Sequence, residues 1–230
     1  MSYRPLFESW YTRLYQQFKE HNTYQQFLHL SDGRSEAITL IENVCRSHLC
    51  SPKILAFLYS ITSPNSEKHI QENLLEEIGL QDGEPSHPEL LRQLGYATGL
   101  IGAKWQAVEE GAELVLKNKI AEPLMFGSIK ETGFNIMLEV FAFEWFLSRE
   151  SSNLGRLLKK YLRLSDSDLT WFFHHSEVDI SHAEEGLKTL DNYVQYYEFD
   201  KDTIINIGEI TFRENIYLKR YFDIQQESLI

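Results

Sequence analysis

Apolar side chains recur at helical spacing along most of this chain, and this periodicity limits its fold more than any other feature. Leu6, Trp10, Leu14 and Phe18 stand four residues apart and form one stripe on a first helix. Alternating, strand-like patterns are scarce elsewhere. The pattern therefore predicts an all-α fold, with about eight or more helices packed as a single domain over residues 1–230.

Chain breakers and capping residues mark where the other helices begin and end. Ser51 followed by Pro52 is typical of an N-cap with proline in the first turn, and Ser86 with Glu89 is a capping-box pattern. The apolar residues of the segment 203–212 fit either a helix or a strand, and we favour a terminal helix. Further helices are predicted at about 35–47, from 51, at 67–78, from 87, and at 104–119, 129–149, 153–163, 168–197 and 203–212.

The charge balance argues against two classes of partner. The chain has 34 acidic and 22 basic residues, a net charge of −12, whereas non-specific binding to nucleic acid or to an anionic membrane needs basic surfaces. No apolar run reaches membrane-spanning length, and the first residues lack an apolar segment, so we expect a soluble, cytoplasmic protein without a signal peptide. Cys45 and Cys50 are expected to be reduced thiols.

One predicted helix carries two histidines and an aspartate at a spacing that suits a metal. At about 100° per residue, His175, Asp179 and His182 point within about 60° of one another. Imidazoles and a carboxylate that converge in this way are typical metal ligands. The alternative is a solvated polar face, but the neighbouring Trp171 and Phe172 indicate burial, and buried polar groups need partners.

Carboxylates and a histidine elsewhere can complete such a site. Glu76 and Glu77 end one helix and His87 begins the next, so they can face a common point, although solvated surface carboxylates are the commoner outcome. Glu144 stands in the run Phe-Ala-Phe-Glu-Trp-Phe-Leu, where a buried carboxylate needs a counter-charge such as a metal. Glu139 lies about 140° away on the same helix, so we expect only one of the two to face the site.

Gly186 and His174 lie on or beside the histidine face of the same predicted helix. Gly186 continues the face and should leave open space beyond His182, whereas His174 lies about 100° off the face and is expected to pack beside the site or support it. Phosphate-binding glycine loops, nucleophile elbows and the CxxC and HExxH metal motifs do not occur in the sequence. A metal site is therefore the main candidate for chemistry.

Taken together, these residues resemble one known family. The pattern Asn73-Leu-Leu-Glu-Glu77 with His87, then Phe-Ala-Phe-Glu144, then His175-x-x-x-Asp179-x-x-His182, is similar to the haem-oxygenase-like di-iron oxidases and oxygenases, which include the chlamydial protein associating with death domains. The resemblance covers about residues 66–190 and implies a single haem-oxygenase-like helical bundle with two iron ions. It implies six metal ligands: Glu77, His87, Glu144, His175, Asp179 and His182.

The same resemblance implies a non-haem di-iron oxidoreductase that uses O2, through a peroxo-di-iron intermediate, on a small and preferably amino-acid-derived metabolite. Carbon–carbon cleavage, desaturation, decarboxylation and N-oxygenation all occur in the family, and the sequence does not choose among them. Phe141, Trp145 and Phe172 are candidates to bind substrate in an apolar pocket, with packing in the core as the alternative. The expected partners are this substrate and O2, and a homodimer stays open.

The same fold allows three alternative functions. The branch that makes para-aminobenzoate from one of its own tyrosines uses a lysine after the Glu144-type carboxylate, where this chain has Leu154, so that reaction is disfavoured. Metal-free enzymes similar to thiaminase-type hydrolases or pyrroloquinoline quinone synthase would need a nucleophilic cysteine, here Cys45 or Cys50, or a ring of histidine and arginine side chains. A non-enzymatic interaction protein is the third.

Overall fold

The computed structural model describes residues 2–80, 83, 85–121 and 127–224, without the side chains of 120–121 and 178–180. These residues are almost entirely helical, as predicted, and no strand occurs among them. The helices are α1 (Arg4–Glu20), α2 (Asn22–His29), α3 (Arg34–His48), α4 (Ser51–Ile61), α5 (Glu67–Glu77), α6 (His87–Ala97), α7 (Ala103–Ala121), α8 (Ile129–Leu162), α9 (Thr170–Tyr196), α10 (Lys201–Thr211) and α11 (Ile216–Phe222), with a 3₁₀ turn at Pro64–Ser66.

Local capping explains several helix starts. Ser86 accepts a hydrogen bond from the backbone N–H of Glu89, so the predicted cap of α6 is confirmed. The predicted cap at Ser51 is wrong, because α4 already includes this residue and its side chain does not cap the helix. Asp200 caps α10 by accepting from the N–H of Thr203, and the ambiguous last segment is indeed helical.

Two helices and one helix junction differ from the sequence expectation. Helices α2 and α11 were not predicted, and the separate helices at 129–149 and 153–163 are one helix, α8. The polar residues at the expected break are buried in α8 because tertiary partners satisfy them. Glu150 accepts from Tyr15 and Lys19, and Ser151 donates to the carbonyl of Phe172 at 2.6 Å.

Helices α8 and α9 form the centre of the fold and pack along each other over most of their lengths. The α8–α9 contact is close at Gly186, where a Cβ would lie 2.7 Å from Cδ1 of Phe141. The open space expected beside Gly186 is therefore filled by a phenyl ring, and that expectation is wrong. Helices α1, α3, α4 and α10 pack against α8, and α5 and α6 pack against α9.

No helix in the described part of the chain is long and apolar enough to cross a membrane. Helix α8 is long, but it carries several charged side chains and is buried in the protein core through Leu138, Phe141 and Phe146. Its burial on several sides explains why its sequence is apolar over more than one face.

Candidate metal centre

The site begins where α5 ends and α6 starts. Glu76 and Glu77 occupy the last turn of α5, and His87, the first residue of α6, is held there by the Ser86 cap. Nδ1 of His87 lies 3.1 Å from Oε1 of Glu77, and Nε2 lies 3.9 Å from Oε1 of Glu76. The two helix ends thus face a common point, as the sequence predicted, and both carboxylates contact the same imidazole.

Helix α9 contributes three histidines to the same point. Nε2 of His174 lies 2.9 Å from Oε1 of Glu76, and Nε2 of His182 lies 3.4 Å from Oε2 of the same carboxylate. The ring of His175 lies 4.6 Å from that of His87, centroid to centroid. Four imidazoles and two carboxylates from α5, α6 and α9 therefore converge.

Two groups of ligand atoms share His87. Glu76, His87 and His174 form one group, and Glu77, His87 and His175 form the other, and in each group the ligand atoms lie within 4.8 Å of one another. Each group offers two imidazoles and one carboxylate, which is the donor set that non-haem iron prefers in oxygenases. This donor chemistry fits iron, and because a neutral imidazole has one lone pair, His87 can complete only one of the two groups at a time.

Glu144 lies on α8 beside these groups and is only 9% exposed, as the apolar run around it predicted. Asn73, one turn before Glu77 on α5, donates a hydrogen bond of 2.6 Å to Oε1 of Glu144. Ser51 lies 2.6 Å from Oε2 of Glu77 and donates to it. Neutral donors thus orient both carboxylates without adding a competing positive charge.

A backbone contact sets the tautomer of His175. Nδ1 lies 2.7 Å from the carbonyl oxygen of Trp171, and because a carbonyl only accepts, Nδ1 carries the proton. The lone pair of the neutral ring is then on Nε2, where a metal can bind. Burial lowers the pKa of His175 well below its ordinary value, and repulsion from His87 adds to this effect, so the ring stays neutral.

The two α5 carboxylates are ionised. Burial raises the pKa of Glu77, but the interactions with His87 and the hydrogen bond from Ser51 outweigh burial and lower this pKa below its ordinary value. For Glu76, the hydrogen bond from His174 and the nearby His182 and His87 likewise outweigh burial and lower the pKa. Ionised carboxylates, like the neutral ring of His175, are the forms in which these side chains bind a divalent metal.

A cavity of about 700 Å³, including its opening to solvent, adjoins these groups. Glu77, His87, Glu144, His175 and His182 are among the residues that line it. Apolar side chains form much of the remaining wall. They are Ile54, Leu55, Val140, Phe143 and Leu147.

Glu139 also lines this cavity, but it belongs to neither group of candidate ligand atoms, so the expectation that only one of the two α8 carboxylates faces the metal site stays a prediction. The side chains diverge around the helix, but the cavity is wide enough to extend past both. Glu139 forms ion pairs with Lys119 of α7 and Arg220 of α11. These cations lower the pKa of Glu139 to about 2, although burial opposes them.

The structure places the remaining predicted residues as follows. Asp179 belongs to α9, but its side chain lies outside the described residues. Phe141, Trp145 and Phe172 are buried in the core, and none of them is among the described residues that line the cavity. Their role in substrate binding stays a prediction, while Phe143 is the aromatic side chain in the cavity wall.

Sequence reasoning gave too little weight to several polar residues near the site. His174 was expected to pack beside the site or support it, and its Nε2 lies 2.9 Å from Oε1 of Glu76, which is one of the carboxylates that converge there. His48 lines the cavity and contacts the hydroxyl of Tyr221 at 2.9 Å. The sequence around Lys119 and Arg220 does not indicate their role, because they pair with Glu139 only when α7, α8 and α11 pack together. The adjacent pair His174–His175 was the one signal available in the sequence.

The family comparison agrees with this donor set. The family model for iron-containing redox enzymes matches residues 39–206, which is more than half of the chain. The chain belongs to this family. The family is described as iron-containing redox enzymes and is all-helical, as is the described structure. No curated protein matches the chain.

The cysteines do not support the metal-free alternative. Cys45 is buried, and burial raises the pKa of its thiol to about 12. Burial also raises the pKa of Cys50. A nucleophilic cysteine needs a depressed pKa, so neither thiol is activated.

Proposed function

We propose that this protein is a non-haem di-iron oxidoreductase that uses O2 to oxidise a small metabolite. The observation that carries the proposal is the convergence of four imidazoles and two carboxylates in two groups that overlap at His87, because these are more donors than the two histidines and one carboxylate that hold a single non-haem iron. The membership in an iron-containing redox family supports it.

We propose Glu77, His87, Glu144, His175, Asp179 and His182 as the ligands of two irons. The proximity of Glu76 and His174 to the same imidazoles makes them the partners that orient this set or replace one of its members. Iron held here would supply the electrons and the O2-binding positions for the oxidation. The chain itself supplies orientation, through Ser51 on Glu77 and Asn73 on Glu144.

The cavity supports the choice of a small substrate. Its apolar wall lies beside the proposed ligands, so a metabolite of modest size can contact Val140, Phe143 and Leu147 while one of its bonds lies near the metal groups. Apolar walls also exclude bulk water, which limits the loss of oxidising equivalents to solvent.

Anaerobic Fe(II) titration of the purified full chain tests the proposal. We expect two equivalents to bind with high affinity, followed by O2 consumption in an oxygen electrode. His175→Ala and Glu144→Ala should each lose one equivalent or bind it at least tenfold more weakly. His29→Ala, which removes an exposed histidine on α2, is the matched control and should keep both equivalents.

Three results would contradict the proposal. Absence of Fe(II) binding rejects an iron enzyme. Binding of one equivalent that is lost in His175→Ala indicates a mononuclear site. Two equivalents that survive in both site variants place the metal elsewhere, and circular dichroism establishes whether each variant is folded.

A further inference from the structure

His48 of α3 lines the cavity but belongs to neither group of candidate ligand atoms. Aromatic neighbours hold its ring in the cavity wall. The ring centroid lies 5.1 Å from that of Trp171 and 5.2 Å from that of Phe143, and the Phe143 contact is edge to face. A polar ring fixed among aromatic side chains needs a partner for each of its nitrogens, so this position calls for an explanation.

Only one nitrogen of His48 has a hydrogen-bond partner within the described residues. Nε2 lies 2.9 Å from the hydroxyl oxygen of Tyr221, which is not among the described residues that line the cavity. The fully buried nitrogens without a partner in the same part of the chain belong to other side chains, so Nδ1 is open to the cavity. Nδ1 is therefore the atom that a ligand in the cavity can reach.

The surroundings of this ring disfavour a charge of either sign. Burial is the largest effect on the His48 imidazole and lowers its pKa to about 4. Two carboxylates raise this pKa and two cations lower it; the carboxylates are Glu77 and Glu139, and the cations are Lys119 and Arg220. Because these charges oppose one another, a charged group of a ligand at Nδ1 would lose its hydration without a clear compensating charge.

A hydroxyl group matches Nδ1 whichever tautomer the ring adopts. If the hydroxyl of Tyr221 donates to Nε2, then Nδ1 carries the proton and donates to the ligand. If Nε2 carries the proton and donates to Tyr221, then Nδ1 accepts from the ligand. A hydroxyl both donates and accepts, whereas a carboxylate or an ammonium group does only one of the two. Apolar Val140, Phe143 and Leu147 line the same cavity and suit an apolar body.

We propose that Nδ1 of His48 binds a hydroxyl group of the substrate, so that the substrate class is a small uncharged alcohol or phenol with an apolar body. This inference rests on the proposed function, because it takes the cavity to be the substrate site. Tyr221 acts as a positioning residue that holds the imidazole through Nε2. The apolar body then contacts Val140 and Phe143.

Calorimetric titration of the full chain with phenol at neutral pH tests this subsite. Benzene is the matched probe without a hydroxyl, benzoate is the charged probe, and a chelator keeps metal from binding either oxygen ligand. We expect phenol to bind at least as tightly as benzene, because a hydrogen bond with Nδ1 offsets the lost hydration of the hydroxyl. Benzoate should bind at least tenfold more weakly than phenol, because its charge enters a cavity that Glu77 and Glu144 also line.

Two amide variants separate the nitrogens of His48. The amide of His48→Asn stands where Nδ1 lies, whereas the amide of His48→Gln stands where Nε2 lies and keeps the contact with Tyr221. We expect His48→Asn to bind phenol within threefold of the unmodified chain and His48→Gln to bind it about tenfold more weakly, with benzene affinity unchanged in both. Ser47→Ala, which removes a neighbouring hydroxyl from the cavity wall, should stay within twofold.

Phenol binding that is tenfold weaker than benzene binding in the unmodified chain rejects the subsite, and this measurement needs no variant. Benzoate binding more tightly than phenol rejects the uncharged substrate class. Phenol binding that survives in His48→Gln but is lost in His48→Asn shows that the imidazole only supports Tyr221, and loss in Ser47→Ala alone assigns the hydrogen bond to that serine instead.

The outcome is independent of the Fe(II) titration, because phenol binding is measured without iron. Failure of the phenol experiment leaves the proposed iron ligands unaffected. Conversely, a chain that binds phenol as expected but takes up no Fe(II) refutes the proposed function alone.

Discussion

Replacement of Glu139 by glutamine should destabilise the fold in a pH-dependent way. The cations lower the pKa of this carboxyl from its ordinary value of 4.5 to about 2. A shift of this size corresponds to about 3 kcal/mol of stability at neutral pH. Because the folded-state pKa lies below the unfolded one, this contribution is fully present above about pH 4.5 and is lost as the pH falls toward 2.

The assay is urea unfolding of the metal-free chain, followed by circular dichroism at neutral pH and at about pH 3. The stability gap between the unmodified chain and Glu139→Gln should fall from about 3 to about 1.5 kcal/mol over this range. Other carboxylates titrate equally in both proteins, so the difference isolates Glu139. Glu109→Gln, which removes an exposed partner of Arg92, should cost less than about 0.5 kcal/mol at either pH. A gap that stays constant with pH would refute the assignment of the stabilisation to an ionised Glu139.

Two further outcomes are expected. Gly186→Ala should lower the free energy of unfolding by about 1–3 kcal/mol in urea, because the new Cβ would lie 2.7 Å from Phe141 and this overlap outweighs a helix-propensity gain of about 1 kcal/mol. The control is Lys188→Ala, which changes an exposed residue of the same helix. Equal stability of the two variants would show that α8 and α9 can separate. Ser51→Ala should weaken Fe(II) binding about tenfold in the anaerobic titration, because Glu77 loses its hydrogen-bond donor at 2.6 Å. Ser60→Ala on the same helix is the control and should have no effect. Unchanged Fe(II) affinity in Ser51→Ala would show that Glu77 is not a metal ligand.

Several features of the site could be predicted from the sequence because they depend on short spacings. The burial of Glu144 follows from the aromatic residues around it in one helix. His175 and His182 line one cavity because seven residues complete nearly two helical turns. His87 faces Glu77 because the Ser86 cap starts α6 beside the end of α5. In each case the helix itself, with its caps, places the side chains.

Other features arise only when distant segments pack. The polar residues Glu150 and Ser151 resemble a helix break in the sequence, and only their partners on α1 and α9 keep α8 continuous. The space beside Gly186 is filled by Phe141 of a different helix. A sequence pattern records which side chains share a face, but not which neighbour occupies the space in front of it.

The sequence by itself determined the all-helical class, the start of α6 and the histidine face of α9, because helical period and capping are local properties of the backbone. Only the tertiary structure decided that His174 contacts Glu76 and that Lys119, Glu139 and Arg220 form one charged wall. These partners are far apart in the chain, and their pairing depends on how α7, α8, α9 and α11 pack around a shared cavity. Ionic contacts across helices leave no periodic signal in the sequence, since they are set by the packing of the apolar faces that carry them.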